Sequence, residues 1–356
     1  MKNIRKLTAL LLLCPAIMTL SAQEEGCTIR KSFRVKEGTW LKVNGKYGDI
    51  SIISSPSDSI TICATVKIDQ DNGELMRKSM ALILLNPEKK GDTVAVSTII
   101  DERFFSSQYR SGRRSFSISY AIKIPETTNL SLVNTFGDII IDETSGIVNV
   151  SLSHGELNGT VFNRGNIRPV SQLNLEHARA NIGEVNWMII NAKHCQSVTI
   201  KKARALVLTT EFSGFSLDEA GSVVCKSRSD NYRIGSINNL ISESTYSAFN
   251  IGTLVSRMQS VTIYGTVGIK ELMKGFTLLE LTGTHTPVDI TTQKDNSFKC
   301  DISLINTPFE FDLEANPAVK KSTTGTVTSL SGIAGKNMET ASELRLKLER
   351  GLLRIK

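Results

Sequence analysis

Apolar and polar residues alternate along this chain in short, paired bursts. The segments KYGDISI (46–52), TFGDIII (135–141), TYSAFNI (245–251), THTPVDI (284–290) and TPFEFDL (307–313) each close on an apolar residue, one intervening residue, then Ile or Leu. Extended backwards, they reveal a second pair, so that apolar residues fall at relative positions 0, 2, 9 and 11 of a repeating unit. Units begin at Leu41, Leu130, Val148, Ser171, Ile189, Leu206, Val223, Leu240, Met258, Leu279, Ile302, Ala318 and Leu344. Residues two apart share one face of a strand, and the gap between pairs leaves room for a turn. Each unit therefore reads strand, turn, strand.

Central units start 17, 17, 17 and 18 residues apart, too close for a helical crossover, so like strands must stack on like strands in successive coils. The pattern predicts an all-β fold, a single-stranded β-solenoid of about 13 short rungs. One inward column is Ile50, Ile139, Leu157, Ala180, Val198, Phe215, Tyr232, Phe249, Val267, Val288, Phe311, Val327 and Leu353. Gly48, Gly137, Gly155, Gly265, Gly325 and Gly351 share position 7 and mark a tight bend. Residues 53–129 interrupt the repeat with Ile60, Ile62, Ala64, Val66 and Ile68, then Val94 and Val96, then alternating apolar residues from Phe116 to Ile124. This segment reads as a small antiparallel β side sheet inserted near the N-terminus, covering the open end of the coil. Within it, Glu74 to Leu85 is expected to form a short helix and Arg103 to Arg114 a mobile polar loop.

The start of the chain has a separate character. Lys2, Arg5 and Lys6 precede an apolar stretch from Leu7 to Leu20, and the small residues Ser21 and Ala22 follow. These are the three parts of a secretory signal peptide, so residues 1–22 are expected to be removed and residues 23–356 to form the solenoid domain, exported to the periplasm, the cell surface or the medium. Cys14 sits inside the apolar stretch and Cys27 follows Glu24, Glu25 and Gly26, so no lipid anchor is expected. The formal charge of +7 falls with cleavage, because three of the 42 Lys and Arg are lost and 39 remain against 35 Asp and Glu. That balance gives no ground for a nucleic-acid partner. Beyond the signal no apolar run is long enough for a transmembrane segment. Cys27, Cys63, Cys195, Cys225 and Cys300 remain, scattered and odd in number, so at least one is unpaired or pairs between molecules. Cys225 falls on the inward second column, where a free thiol packs as a small apolar group, and the fold is expected not to depend on disulfides.

KYGDISI, TFGDIII, SHGELNG (153–159) and the closing LRLKLERGLLRIK, behind a signal peptide, resemble the exported putative-adhesin families of Gram-negative bacteria. These are β-solenoids related to the head domain of putative autotransporter adhesins. The resemblance covers about residues 40 to 356 and implies the fold, export and an adhesin-like role. It carries no catalytic residues to this chain.

Position 8 places Asp49, Asp138 and Glu156 on three consecutive rungs, roughly 5 Å apart if stacked. Such a ladder suits Ca2+ or the acid and nucleophile of a glycosidase. Acidic residues after Gly are also ordinary turn residues, and Arg179, Ser197 and Gly214 continue the same column. Position 6 holds Tyr47, Phe136, His154, His177, Cys195, Phe212, Tyr246, Tyr264 and His285. His154, His177 and Cys195 are ligand types for zinc, while the column as a whole reads as an aromatic ladder with His as a flat member. Arg103, Arg110, Arg113 and Arg114 could meet an acidic glycan or lipopolysaccharide phosphates. The sequence has no Gly-rich phosphate loop after a strand, nucleophile elbow or paired CxxC. These features favour a non-enzymatic exported module, without cofactor, that binds a glycan or an envelope or surface protein. The alternative is a carbohydrate-active β-helix enzyme, lyase or hydrolase. That alternative needs long loops walling a cleft, whereas the central rungs are short and nearly loop-free. N-terminal sequencing of protein from the envelope fraction is expected to begin at Gln23; Met1 retained on a cytoplasmic protein would remove the export reading.

Overall fold

The computed structural model describes residues 28–165 and 171–356, so the expected signal peptide and Cys27 lie outside the described residues. The fold is all-β. Among the described residues, 26 strands are hydrogen-bonded into one large, open sheet. No described helix is long and apolar enough to cross a membrane.

Two strips of parallel strands run through the chain. In the first, Val43 belongs to a column that continues through Leu132, Val150, Leu173, Ile190, Leu208, Cys225, Ser242, Ser260 and Leu281 to Leu346, every neighbour in parallel register. In the second, Ile50 begins a column through Ile139, Leu157, Ala180, Val198, Phe215, Tyr232, Phe249, Val267 and Val288 to Leu353. Both columns point inward and are buried. Parallel strips with helix-free connections leave their inner faces only each other to pack against, which is why the inward positions are almost continuously Ile, Leu, Val and Phe. Two residues on, Ile52, Ile141 and Ile182 form a further inward column broken at Gly159, where a Cβ would lie 2.2 Å from the Phe162 ring, which occupies the space.

A further inward column lies outside the four-position pattern. Phe162, Val185, Ala203, Ala220, Ile237, Leu254 and Leu272 are in register and buried. Each follows a second-strip position by three residues, as Ala203 follows Ile200. The period-2 alternation breaks there because the strand bends from one strip to the other.

The register corrects the sequence reading at one unit. Leu173 pairs with Ile190, so Met188 and Ile190 point inward rather than Ile189 and Asn191. One extra residue lies in that turn: Lys193 and Val198 align with Glu211 and Phe215, five positions apart against four. The end of the chain is also reordered. Leu279 pairs with Leu344, and Leu344 in turn with Cys300, so strand Glu343–Glu349 sits between Leu278–Thr284 and Phe298–Ile305. Ala318 begins no unit and Val327 is no member of the Ile50 column. They belong to a hairpin, Val319–Thr324 with Val327–Ala334, which turns at Gly325 and lies antiparallel on Phe298–Ile305. Phe311 also leaves the column, because Phe309 is the residue aligned with Leu353. Alternation reports which face a residue takes, not which strand lies beside it.

The interrupting segment lengthens both strips at their other end. Val94 and Val96 lie beside Leu41 and Val43, and Tyr120 and Ile122 beside Ile50 and Ile52, all in parallel register. Antiparallel partners follow outside them: Ser59–Gln70 on Arg113–Ile124, Ile29–Arg34 on Ser59–Gln70, and Ile83–Lys90 on Thr93–Ile100. The helix is shorter than expected, Gly73–Met80, capped by the Asn72 side chain, which accepts from the Glu74 and Leu75 amides at 2.9 and 3.1 Å. Arg103 to Arg114 is not a plain loop. It contains the 3-10 turn Glu102–Phe105 and the helical turn Ser107–Arg110, pinned by a fully buried Phe104 under the Arg113 guanidinium.

Among the described cysteines, Cys195, Cys225 and Cys300 are free, and burial pushes the Cys225 and Cys300 thiols up to about 12. Cys63, by contrast, is disulfide-bonded. Spacing along the sequence carries no information on which thiols the fold brings together. The register itself has a direct test. Ile251 is fully buried and Asn250 exposed, so Ile251→Asp buries an unpaired carboxylate whereas Asn250→Asp changes stability by less than about 0.5 kcal/mol. Thermal melts are expected to show a large fall for the first variant and almost none for the second.

Candidate functional site

The two strips meet at a bend that is built the same way in each coil. Tyr47, Phe136, His154, His177, His194, Phe212, Ser229, Tyr246, Tyr264, His285 and Arg350 all adopt left-handed backbone, with φ from 50° to 64°. Non-glycine residues rarely do so. Each is held by its N–H, which donates across to the next coil: Phe212 to the Arg228 carbonyl at 3.0 Å, Ser229 to Thr245 at 2.9 Å, Tyr246 to Ile263 at 2.9 Å.

The following residue is always small or short: Gly48, Gly137, Gly155, Ala178, Cys195, Ser213, Asp230, Ser247, Gly265, Thr286 and Gly351. At Gly137 the reason is contact, since a Cβ would sit 2.1 Å from the Gly48 carbonyl oxygen. Where a side chain is present, it joins the bend. Ser213, Ser247 and Thr286 each donate to the carbonyl two residues back, at 2.9, 3.1 and 3.0 Å. The buried Asp230 carboxylate accepts from the Ser213 and Arg228 amides and from the Thr210 and Ser227 hydroxyls, at 2.5 to 3.0 Å. With four donors in place, Asp230 is a fastening and not a base.

This geometry relocates the candidate residues. The ring column contains His194, not Cys195, again because of the extra residue in that turn. Tyr47, Phe136, His154, His177, His194 and Phe212 stack in sequence with centroids 5.7, 5.0, 5.1, 4.9 and 5.2 Å apart and planes within 11° of parallel. Tyr246, Tyr264 and His285 form a second run, at 5.2 and 4.8 Å. Parallel imidazoles hold their lone pairs in separate planes, so His154, His177 and His194 do not converge on a metal. Cys195 is fully buried, its thiol pushed up by desolvation and bonded to the Leu175 and Lys193 carbonyls. Among the described residues, no group of three His, Cys, Asp or Glu could hold a metal ion.

Asp49, Asp138 and Glu156 do line up on adjacent coils, but two of the three are engaged. Asp49 Oδ1 accepts from the Asp138 amide at 2.9 Å, and Asp138 Oδ1 from the Glu156 amide at 2.8 Å. Each carboxylate thus ties its own bend to the next. Asp138, Glu156 and the three imidazoles border a shallow recess of about 530 Å3, without the apolar wall that would raise a carboxyl into the proton-donor range. Of the four arginines, Arg110 and Arg113 are near enough for their charges to interact, and the other two are paired with acids. Arg103 pairs with Asp101 and Arg114 with Asp71, while Arg113 lies over Phe104.

Sequence reasoning did not find the gap at Ser229, which divides the ring column. Its signal was present: the other aligned positions from Tyr47 to His285 carry a ring. The gap between Phe212 and Tyr246 lies at the middle of a recess of about 730 Å3 that runs along the bend from Cys195 to Thr266.

No family model and no curated protein matches the chain. Solved structures do. The chain is similar to a putative adhesin from Parabacteroides merdae ATCC 43184, at 10% identity over 75% of this chain and 96% of that one, with a TM-score of 0.39. A putative adhesin from Bacteroides fragilis NCTC 9343 aligns over 92% of this chain and 96% of its own at 11% identity and a TM-score of 0.33. A putative lipid binding protein from Parabacteroides distasonis ATCC 8503 aligns over 75% and 96% at 9% identity and a TM-score of 0.36. The first two carry the adhesin name to which the sequence resemblance led.

The carboxylate ladder has a structural consequence that can be measured. Asp138→Ala leaves the Glu156 amide without its acceptor and is expected to lower stability by roughly 1–2 kcal/mol. Glu156→Ala, which removes a side chain with no partner among the described residues, should fall within about 0.5 kcal/mol of the parent in denaturant melts.

Proposed function

We propose that this chain is an exported, non-enzymatic binding module of the cell envelope, built as a β-solenoid of about 13 rungs whose residues 53–129, rather than forming a separate side sheet, extend it at one end. The module, residues 23–356, presents its repetitive bend edge to a glycan or to an envelope or surface protein. The observation that carries this reading is the column of rings along that edge. Phe136, Phe212, Tyr246 and Tyr264 are each about half exposed, although the interior of the same coils has space for aromatics such as Tyr232 and Phe249. A ladder of exposed rings at a regular spacing offers stacking area and no reactive group. Of the adjoining carboxylates, Asp49 and Asp138 are engaged by backbone amides, which supports binding over hydrolysis.

The enzyme alternative is tested directly. Purified protein is incubated with polysaccharides and assayed for new reducing ends, beside the double variant Asp138→Asn with Glu156→Gln. No turnover is expected from either protein; cleavage by the parent that the double variant loses would establish the hydrolase instead. Retention of the parent on immobilised mucin or on envelope fragments is the positive test of the binding reading.

A further inference from the structure

The gap at Ser229 is one ring wide. Adjacent strands lie about 4.8 Å apart, and wherever neighbouring coils both carry a ring the centroids are 4.8 to 5.7 Å apart. Glu211 aligns with Arg228 and Arg228 with Thr245, so Phe212 and Tyr246 are separated by a single coil, that of Ser229. The two rings therefore face each other across roughly 10 Å, twice the strand spacing. Ser229 fills none of that space.

The recess between them has a polar side as well as two aromatic walls. Gln196, Asn231 and Arg233 line it, all three are exposed, and none of their side chains has a hydrogen-bond or ion-pair partner among the described residues. Arg228, the residue before Ser229, lines the neighbouring recess instead; its guanidinium lies over the Phe212 ring, 5.9 Å from the centroid, and pairs with Glu211 at 3.3 Å. The floor is the saturated Asp230 network and offers no free carboxylate.

From this arrangement the geometry points to a carbohydrate site: a pyranose ring of a glycan inserts at Ser229, sandwiched between Phe212 and Tyr246, with its hydroxyls on Gln196, Asn231 and Arg233. The assignment rests on the binding-module reading above and makes it specific. A flat aromatic guest would need about 7–8 Å, two carbon contact distances of 3.5–4.0 Å. A puckered sugar ring with C–H bonds on both faces is thicker and fills about 10 Å better. Its C–H bonds are slightly positive and suit the negative faces of two rings. A guest aromatic side chain would leave the two free amides and the guanidinium without partners, whereas adjacent hydroxyls accept from and donate to such planar groups.

Ser229→Tyr tests the site without threatening the fold. Ser229 has φ 56°, as does Tyr246, so a ring there adopts the backbone its neighbours already use and completes the ladder. The parent and Ser229→Tyr are applied to an array of immobilised oligosaccharides together with immobilised Trp- and Tyr-containing peptides, and both are melted. The expected result is that the parent retains at least one oligosaccharide and Ser229→Tyr loses it by roughly tenfold or more, with an unchanged or higher Tm. Phe212→Ala and Tyr246→Ala should weaken the same binding, and Phe136→Ala, in an unbroken stretch of the ladder, should not. Oligosaccharide binding that Ser229→Tyr leaves intact overturns this site while the binding-module reading stands. Retention of the aromatic peptides alone, lost in Ser229→Tyr, overturns the sugar assignment. A parent that retains nothing on the array overturns the inference, and its behaviour on mucin and envelope fragments then decides the broader reading separately.

Discussion

The structure depends on how closely one backbone can pass over another at the bend. Parallel strands about 4.8 Å apart carry the chain around a corner where the inner residue has no room for bulk: at Gly137 and Gly155 a Cβ would meet the carbonyl oxygen of the preceding coil at 2.1 Å. The residue before it must be left-handed for the corner to close. Everything else on that edge follows from these two conditions. A left-handed residue throws its side chain outward, so each coil displays one side chain at the same place, and stacking those side chains as rings offsets part of the conformational cost of the bend.

The polar groups of the bend answer the same constraint. After Gly48 and Gly137 the carboxylate that follows, Asp49 or Asp138, reaches the amide of the next coil. Where it is Ser or Thr, the hydroxyl closes on the carbonyl two residues earlier. Asp230 does both kinds of work in one buried carboxylate, and its coil is the one in which the outward side chain is not a ring. Edge protection is handled by sequence rather than by closure. Strand Val319–Thr324 carries Lys320 and Lys321, both exposed, and Ile29–Arg34 carries Arg30, Lys31 and Arg34, and such charges discourage pairing with another chain.

Most of the fold was legible because a period of two survives in every coil. From Ile50 to Val288 the second-strip column could be read residue by residue, since one face is apolar throughout. Three things were not legible. The extra residue before Val198 shifts Ile189 outward, and only the buried Met188 reveals it. The position of Leu344 beside Leu279 is a fact of topology, and two apolar strands with the same alternation are interchangeable in sequence. The corner column of Ala203 and Ile237 breaks the alternation, so a search for period two passes over it. Of the candidate site, the ring ladder was visible as a column of Tyr, Phe and His, and the carboxylates as neighbours. Their engagement with backbone amides was not, because an acidic turn residue looks the same whether its oxygens face water or an N–H.

The placement of Glu343–Glu349 and Leu352–Ile355 bears on how the molecule assembles. These strands lie between Leu278–Pro287 on one side and Phe298–Phe309 on the other, although both flanking elements precede them in the chain. Coils before that point can form in the order in which they leave a ribosome or a translocon, each templated by the last. The final layers cannot. Phe298–Ile305 pairs with its hairpin on one side, but its other side has no partner until Glu343–Glu349 threads into the space beside it. Propagation from the N-terminal side must therefore pause with the inner faces of Leu279 and Val288 uncovered, and completion is set by the arrival of the last strands. A chain caught during that pause exposes an apolar, unpaired sheet edge to whatever chaperone or neighbour is nearest.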